Sequence, residues 1–209
     1  REYIDPVRYI SNESSGKQGY EIAIALNKLG VKTTLISGPS SIKFSKDIKV
    51  KKVTTAEQMM KEVKKMLPVD IAVCAAAVSD FKPKLYNKSK IKKNKNNFNF
   101  ISLEKNFDIL NYLTKNNKSK PKLVVGFSAE TNSLIKNSMI KLKEKYCDLI
   151  IANDVSNKDS GFNVDYNKVL IIDKNGTVES LKKNKKSYIA SIIAKKIVNK
   201  FLVDDKNIN

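Results

Sequence analysis

Three short runs, VDIAVCAAA (69–77), KLVVGFSA (122–129) and CDLIIAN (147–153), are almost wholly apolar. A strand with one wetted face alternates apolar and polar residues, whereas a continuous apolar run of this length marks a strand covered on both faces. The segments between these runs have helical spacing. Ile22, Ala23, Leu26 and Leu29 recur through residues 16–29, and Gly30 supplies the stop. Thr54 stands three before Glu57, a capping box that opens a helix through Met66. Asn106 is placed to cap a helix through Leu113, and another helix is expected over about 133–146. Ser187 caps a last one, with Ile189, Ile192, Ile193, Ile197 and Phe201 on one face and a loose tail after Val203.

VKTTLIS (31–37), IKVKKV (48–53) and Phe98 to Leu103 read as further strands, and KVLIIDKNGTVESL carries the Asn-Gly signature of a hairpin. Strands alternating with helices predict one α/β domain over residues 1–209. Its sheet should be Rossmann-like, doubly wound and mostly parallel, with a C-terminal antiparallel hairpin and a mobile flap over about 82–104. A helix at 16–29 feeding a strand is half of a βαβ unit. The first strand and its glycine-rich turn are therefore expected upstream of residue 1, in keeping with a chain that opens on Arg1. Sheets of this kind bind ligands at the carboxyl ends of their strands, here the loops 1–16, 37–41, 76–97, 127–131 and 152–162.

Composition removes whole classes of chemistry. There is no histidine, so Ser-His-Asp and Cys-His catalysis and histidine-bound zinc are excluded. Cys74 and Cys147 each sit inside an apolar run, the pattern of buried thiols in a reducing compartment rather than of a disulfide framework. The formal charge of +19 would attract a polyanion, yet every basic residue except Arg1 and Arg8 is lysine. Sequence-specific readers of nucleic acid lean on arginine and interleaved aromatics. The lysines read instead as a solvated surface, with KSKIKKNK (88–95) as the exception. With no apolar run long enough to span a bilayer and no signal peptide, a cytoplasmic protein is expected, without membrane or nucleic-acid partner.

The stretch SNESSGKQG (11–19) puts Ser14 or Ser15 where a helix cap belongs and Gly16 and Gly19 where an anion can approach the helix start. Taken alone, this pattern is more often a plain cap. Neither G-x-x-x-x-G-K-[ST] nor G-x-G-x-x-G occurs, and the second strand ends in Ser37-Gly38 where a dinucleotide fold would place an acid. An NAD(P)-binding oxidoreductase domain and a basic nucleic-acid-binding module are thus the weaker readings. KIKK (90–93), Asp80 after AAAVS, ETN (130–132) and ANDVS (152–156) all place polar residues just beyond apolar strands. Their convergence favours a site for phosphate chemistry.

The motifs REYIDPVRYISN, SSGK, AAAVSDFKP, KIKK, NFDIL, GFSAETN and ANDVS with GFN downstream resemble the phosphopantothenoylcysteine synthetase family, in unbroken order from Arg1 to about residue 173. The resemblance implies a ligase of coenzyme A biosynthesis. Such an enzyme activates 4′-phosphopantothenate with CTP and Mg2+ to an acyl-cytidylate, and L-cysteine then displaces CMP. It further implies a homodimer, commonly fused to a flavin-dependent decarboxylase, with FMN confined to that other half. Asn12 matches the asparagine that stabilises the acyl-cytidylate, Arg8 an arginine near phosphopantothenate, and Lys90 the first lysine of a mobile flap. Ser14, Ser15 and Gly16 match the turn around the nucleotide phosphates. Cys74, Ala75, Ala76 and Asp80 match the strand end lining the nucleotide. Phe107, Asp108, Ile109, Leu110, Phe127, Lys141 and Lys145 match the remaining CTP contacts. The family's metal ligands and cysteine pocket are not carried by these motifs. Phe107 stands where the family has proline, and Gln18 where it has methionine.

Overall fold

The computed structural model describes residues 1–92, 100–115, 119–155 and 164–206. In chain order the first elements are β1 (Glu2–Tyr3), β2 (Tyr9–Ile10), α1 (Lys17–Lys28), β3 (Thr34–Ser37), β4 (Lys49–Lys52), α2 (Ala56–Met66) and β5 (Ile71–Cys74). Then follow β6 (Phe81–Pro83), β7 (Leu103–Lys105), α3 (Ile109–Lys115), β8 (Leu123–Glu130) and α4 (Leu134–Glu144). The chain closes with β9 (Leu149–Asp154), β10 (Tyr166–Asp173), β11 (Val178–Lys185) and α5 (Lys186–Lys206).

The three apolar runs become β5, β8 and β9, parallel neighbours in a five-stranded sheet of order β11-β10-β9-β8-β5. The expected hairpin, β10 and β11, extends it antiparallel, turning at Asn175-Gly176 with Gly176 at φ 85°. Separately, β3 pairs parallel with β4, β1 antiparallel with β2, and β6 antiparallel with β7. Leu123, Val125, Leu149 and Ile151 point to one face, where Ile22 and Leu26 of α1 and Ile189, Ile193 and Ile197 of α5 cover them. Ile150, Ala152 and Ile172 point to the other, against Leu142 and Cys147. A smaller cluster joins Ala72 and Cys74 to Met59 and Met60 of α2 and to Ile109 and Leu113 of α3.

Several local expectations shift. The box opening α2 is Thr55 with Gln58, whose side chains cap reciprocally, rather than Thr54 with Glu57. Both pairs have the right spacing, but Gln58 Oε1 reaches back to the Thr54 amide at 2.7 Å while the Thr55 hydroxyl accepts the Gln58 amide, which makes Thr55 the cap. The buried carboxylate of Glu2 takes the Ala56 amide at 2.9 Å and completes that helix start. α3 is capped by Asp108, which accepts the Asn111 amide, because Asn106 turns its own amide to the Ser79 carbonyl. α5 starts at Lys186 directly off β11, so Ser187 lies inside it, and the helix runs on past Val203. Leu29 is exposed rather than part of the core. The run 69–77 leaves the sheet after Cys74. Among the described residues of the strand expected at Phe98 to Leu103, only Leu103 is in a strand; residues 93–99 lie outside the described residues.

Gly126 marks how closely the layers meet. A Cβ there would stand 2.9 Å from Ile150 Cδ1, 3.1 Å from Leu110 Cδ2 and 3.2 Å from Cys147 Sγ. Ile150 is fully buried, so any shift of its Cδ1 must be taken up by the core around it. Gly126→Ala should therefore cost about 1–3 kcal/mol through overpacking, read as a lower melting temperature in calorimetry; an unchanged melting temperature would contradict this packing.

Candidate functional site

The turn before α1 is built by hydroxyls. Gly16 is the N-cap residue, at φ 74°, and no side chain caps the helix. Ser14 Oγ accepts the Gly16 amide at 3.2 Å and Ser15 Oγ the Lys17 amide at 3.4 Å. The serines thus shape the turn instead of capping the helix. Left-handed backbone suits glycine, and it keeps the α1 start clear of a side chain where the helix dipole favours an anion. Ser40, from the loop after β3, bonds the Ser15 carbonyl at 2.9 Å and so joins two of the expected ligand loops. A Cβ on Gly19 would lie 3.3 Å from that of Ala75, so α1 rests directly on the exit from β5.

From β5 a series of hydrogen bonds leads across the site. Asn12, exposed on its loop, donates its amide to the Val78 carbonyl at 3.1 Å. Asn106 donates through Nδ2 to the Ser79 carbonyl at 3.1 Å and through its backbone amide to the Asp80 carbonyl at 2.8 Å. Its Oδ1 in turn accepts the Phe107 amide at 2.9 Å. The Phe107 ring lies 5.3 Å from Lys82 Nζ. Asp108 Oδ2 accepts Lys145 Nζ at 2.6 Å. Leu110 and Ile109 pack inward behind this edge. The structure therefore brings together Asn12, Cys74 to Ala76, Asp80, Phe107 to Leu110 and Lys145, with Lys141 one helical turn before Lys145.

Electrostatics follow from these contacts. Burial opposes ionisation of Asp108, but the Lys145 ammonium, the Asn111 amide and Lys141 outweigh it and hold the carboxyl below its ordinary value. The Asp108 bond raises Lys145 in return. Desolvation pushes the thiols of Cys74 and Cys147 up to about 12, which leaves Cys74 a lining group and no nucleophile.

Other expected residues lie further off. Phe127 is half-buried on β8 and packs with the α1 and α5 face. Arg8 is bound to Asp5 and to the carbonyl of Ile91, beside the exposed Lys90. Residues 93–99 of the flap, and Ser156 to Asn163, lie outside the described residues. Sequence reasoning missed Asp5, Asn106 as a bridge, and Ser40. Asp5 had a signal, opposite charges three residues apart around Pro6, but its distant partner had none. A concavity of about 430 Å3 beside the α1 start is walled by Ser15, Lys17, Tyr20 and Asp165. Another, of about 450 Å3 between the start of α4 and β10, is lined by Asp154 of the ANDVS run but by none of the residues matched to the family's nucleotide contacts.

The domain is a doubly wound α/β unit with polar and lysine side chains where its strands end and no dinucleotide fingerprint. The chain belongs to the family described as the DNA/pantothenate metabolism flavoprotein C-terminal domain, whose model matches residues 1–201. It is 42% identical over 196 residues to the coenzyme A biosynthesis bifunctional protein CoaBC of Borreliella burgdorferi, covering 93% of this chain and 49% of that protein. Its likeness to the CoaBC of Bacillus subtilis is 40% over 178 residues, covering 84% of this chain and 43% of the relative. The chain thus spans about half the length of these relatives. A crystal structure of the C-terminal domain of CoaBC superposes with a TM-score of 0.79 at 33% identity, covering 98% of this chain and 91% of that one.

The thiol chemistry is directly measurable. Neither cysteine should react with a disulfide reagent at pH 8 in the native chain, and both should react once denaturant is added. A thiol titrating rapidly in the folded protein would contradict the environment of Cys74.

Proposed function

We propose that this chain is the phosphopantothenate–cysteine ligase unit of coenzyme A biosynthesis, a single synthetase domain over 1–209 acting in the cytoplasm. CTP converts the carboxylate of 4′-phosphopantothenate to an acyl-cytidylate with release of pyrophosphate, and the amine of L-cysteine then displaces CMP. The observation that carries the reading is family membership along residues 1–201 together with the matching motifs at the strand ends. A reaction of this type needs no enzymic nucleophile, which suits a chain with no histidine and with thiols held protonated. Among the described residues no helix is long and apolar enough to cross a membrane.

The residues divide the work by chemistry. The α1 start with Ser14, Ser15 and Gly16 offers a backbone cradle for phosphate. Cys74, Ala75, Ala76, Asp80, Phe107 to Leu110, Phe127, Lys141 and Lys145 surround the nucleotide, with Asp80 as a carboxylate for base or metal. Lys145, already charged against Asp108, can exchange that partner for a phosphate. Asn12 donates to a carbonyl in the ligand-free chain and can donate instead to the acyl oxygen as charge grows there. Arg8 lies on the phosphopantothenate side. Mg2+ accompanies CTP. Among the described residues there is no group of three or more acidic or thiol side chains that could hold a metal ion, which fits an ion carried mainly by the triphosphate's own oxygens. The partner reading is a homodimer whose parent protein carries a flavin-dependent decarboxylase; the FMN belongs there. In sedimentation the chain should run as a dimer at micromolar concentration, and a monomer would argue against this.

The deciding assay couples pyrophosphate release to CTP or ATP with phosphopantothenate, and CMP release to added cysteine. Turnover that needs both substrates supports the ligase. Hydride transfer, or salt-sensitive retention on nucleic acid without turnover, would replace it. Lys90→Gln should lower the cytidylation rate by roughly one to three orders of magnitude, the range for losing a charge contact made in the transition state, with little loss of stability. Asn12→Asp should keep the fold and accumulate acyl-cytidylate, because a carboxylate repels the acyl oxygen. Failure to trap the intermediate while nucleotide still binds would remove Asn12 from this role.

A further inference from the structure

Asp5 is a fully buried carboxylate, and such a group is found inside a protein only where donors replace its water. Its two oxygens divide the task. Oδ1 accepts the amides of Val7 and Arg8, each at 2.9 Å, and closes a local turn. Oδ2 accepts Arg8 Nε at 2.9 Å, Arg8 Nη2, and the amide of Ile91 at 3.2 Å. Arg8 Nη2 also donates to the Ile91 carbonyl at 3.2 Å. One ion pair thus holds both backbone polar groups of Ile91, a residue more than 80 positions away. The Asn87 amide bonds the Ile4 carbonyl at 3.0 Å, a second fastening of the same segment. Lys90 lies between the two.

A turn at residues 5–8 requires Oδ1 alone. Burying the Asp5 carboxylate under a half-exposed arginine to hold another segment's backbone is a poor route to stability, since pairing a buried ion roughly balances its desolvation. The arrangement does define where the main chain beside Lys90 lies. These donors leave Asp5 strongly acidic, well below the usual carboxylate range, with the Arg8 side chain as the largest cause. The pair therefore stays charged throughout the neutral range.

We propose that Asp5 is a positioning residue for Lys90, acting through Arg8 and the backbone of Ile91 to fix the root of the lysine segment relative to the Asn12 loop. The inference rests on the ligase reading, in which the Lys90 ammonium meets the triphosphate. Arg8 then serves as part of the mount for Lys90 in addition to lying near the substrate.

Two variants separate this role from a structural one. Asp5→Asn keeps an oxygen for the turn but turns an NH2 group toward the arginine fork and the Ile91 amide. Arg8→Lys keeps a positive partner for Asp5 but has no fork to reach the Ile91 carbonyl. In both, hydrogen exchange at the Ile91 amide should rise about tenfold or more in the ligand-free chain, as local opening no longer has to break the clamp. The kcat for pyrophosphate release should fall by about one to two orders of magnitude, the scale of a displaced catalytic group, with KM for CTP changed much less. In a Lys90→Gln background Asp5→Asn, which touches no substrate, should cost no further activity, because residues acting through one group are not additive. Additive losses, or wild-type kcat in spite of a released Ile91 amide, would overturn the proposal. Unchanged Ile91 exchange in both variants overturns the clamp even where activity is present. A wild-type chain that releases no pyrophosphate overturns the ligase reading itself and, with it, the role of Lys90.

Discussion

The burial of β8 and β9 on both faces is the constraint from which the rest follows. Val124, Val125 and Leu149 through Ala152 expose no measurable surface, and side chains alternate between two faces, so neither face can be left to water. Each face needs helices, and a parallel pair needs a crossover that supplies one. α1 with α5 and α3 with α4 meet this demand from opposite sides. The crossovers also sort the loops. Every chain segment leaving the carboxyl end of a parallel strand emerges at one edge, and there Asn12, Asp80, Asn106 and Asp108 become neighbours despite their separation in sequence.

That edge is polar without acid–base chemistry near neutral pH. Its groups are amides, hydroxyls, a carboxylate kept ionised and an ammonium kept protonated. Such a set positions and stabilises charge without exchanging protons, which suits the ligase chemistry proposed above. Lysine serves as a compact point charge on a long stem and can follow a phosphate as it moves away.

What the sequence made legible, and what it did not, divides along range of interaction. The three apolar runs, the α1 stop at Gly30 and the Asn175-Gly176 turn are set by residues close in sequence, and all appear in the fold, the first run leaving the sheet after Cys74. The caps shifted by one or two residues wherever neighbours had similar chemistry: Thr54 against Thr55, Asn106 against Asp108. Specific partners decided those cases, the Gln58 side chain at Thr54 and Thr55 and the Ser79 carbonyl at Asn106. The two-residue strands β1 and β2 are too short to carry a period. At the site, the residue types at the strand ends were readable, and the partners that orient them were not. No local pattern announces that Asp5 will meet Ile91.

The layout of α1 and α5 has a consequence for synthesis. The two helices jointly cover one face of the sheet, yet they stand at opposite ends of the chain order, α1 at Lys17–Lys28 and α5 at Lys186–Lys206. A ribosome that has made α1 adds residues for roughly ten to thirty seconds before α5 exists, at about 5–20 residues per second. Once Leu123, Val125, Leu149 and Ile151 have been added, late in that interval, they lack the cover of α5 until that helix is made. The nascent chain must therefore be kept from aggregating by something other than its finished core. A surplus of lysine along the whole length, repelling one growing chain from the next, is suited to that task.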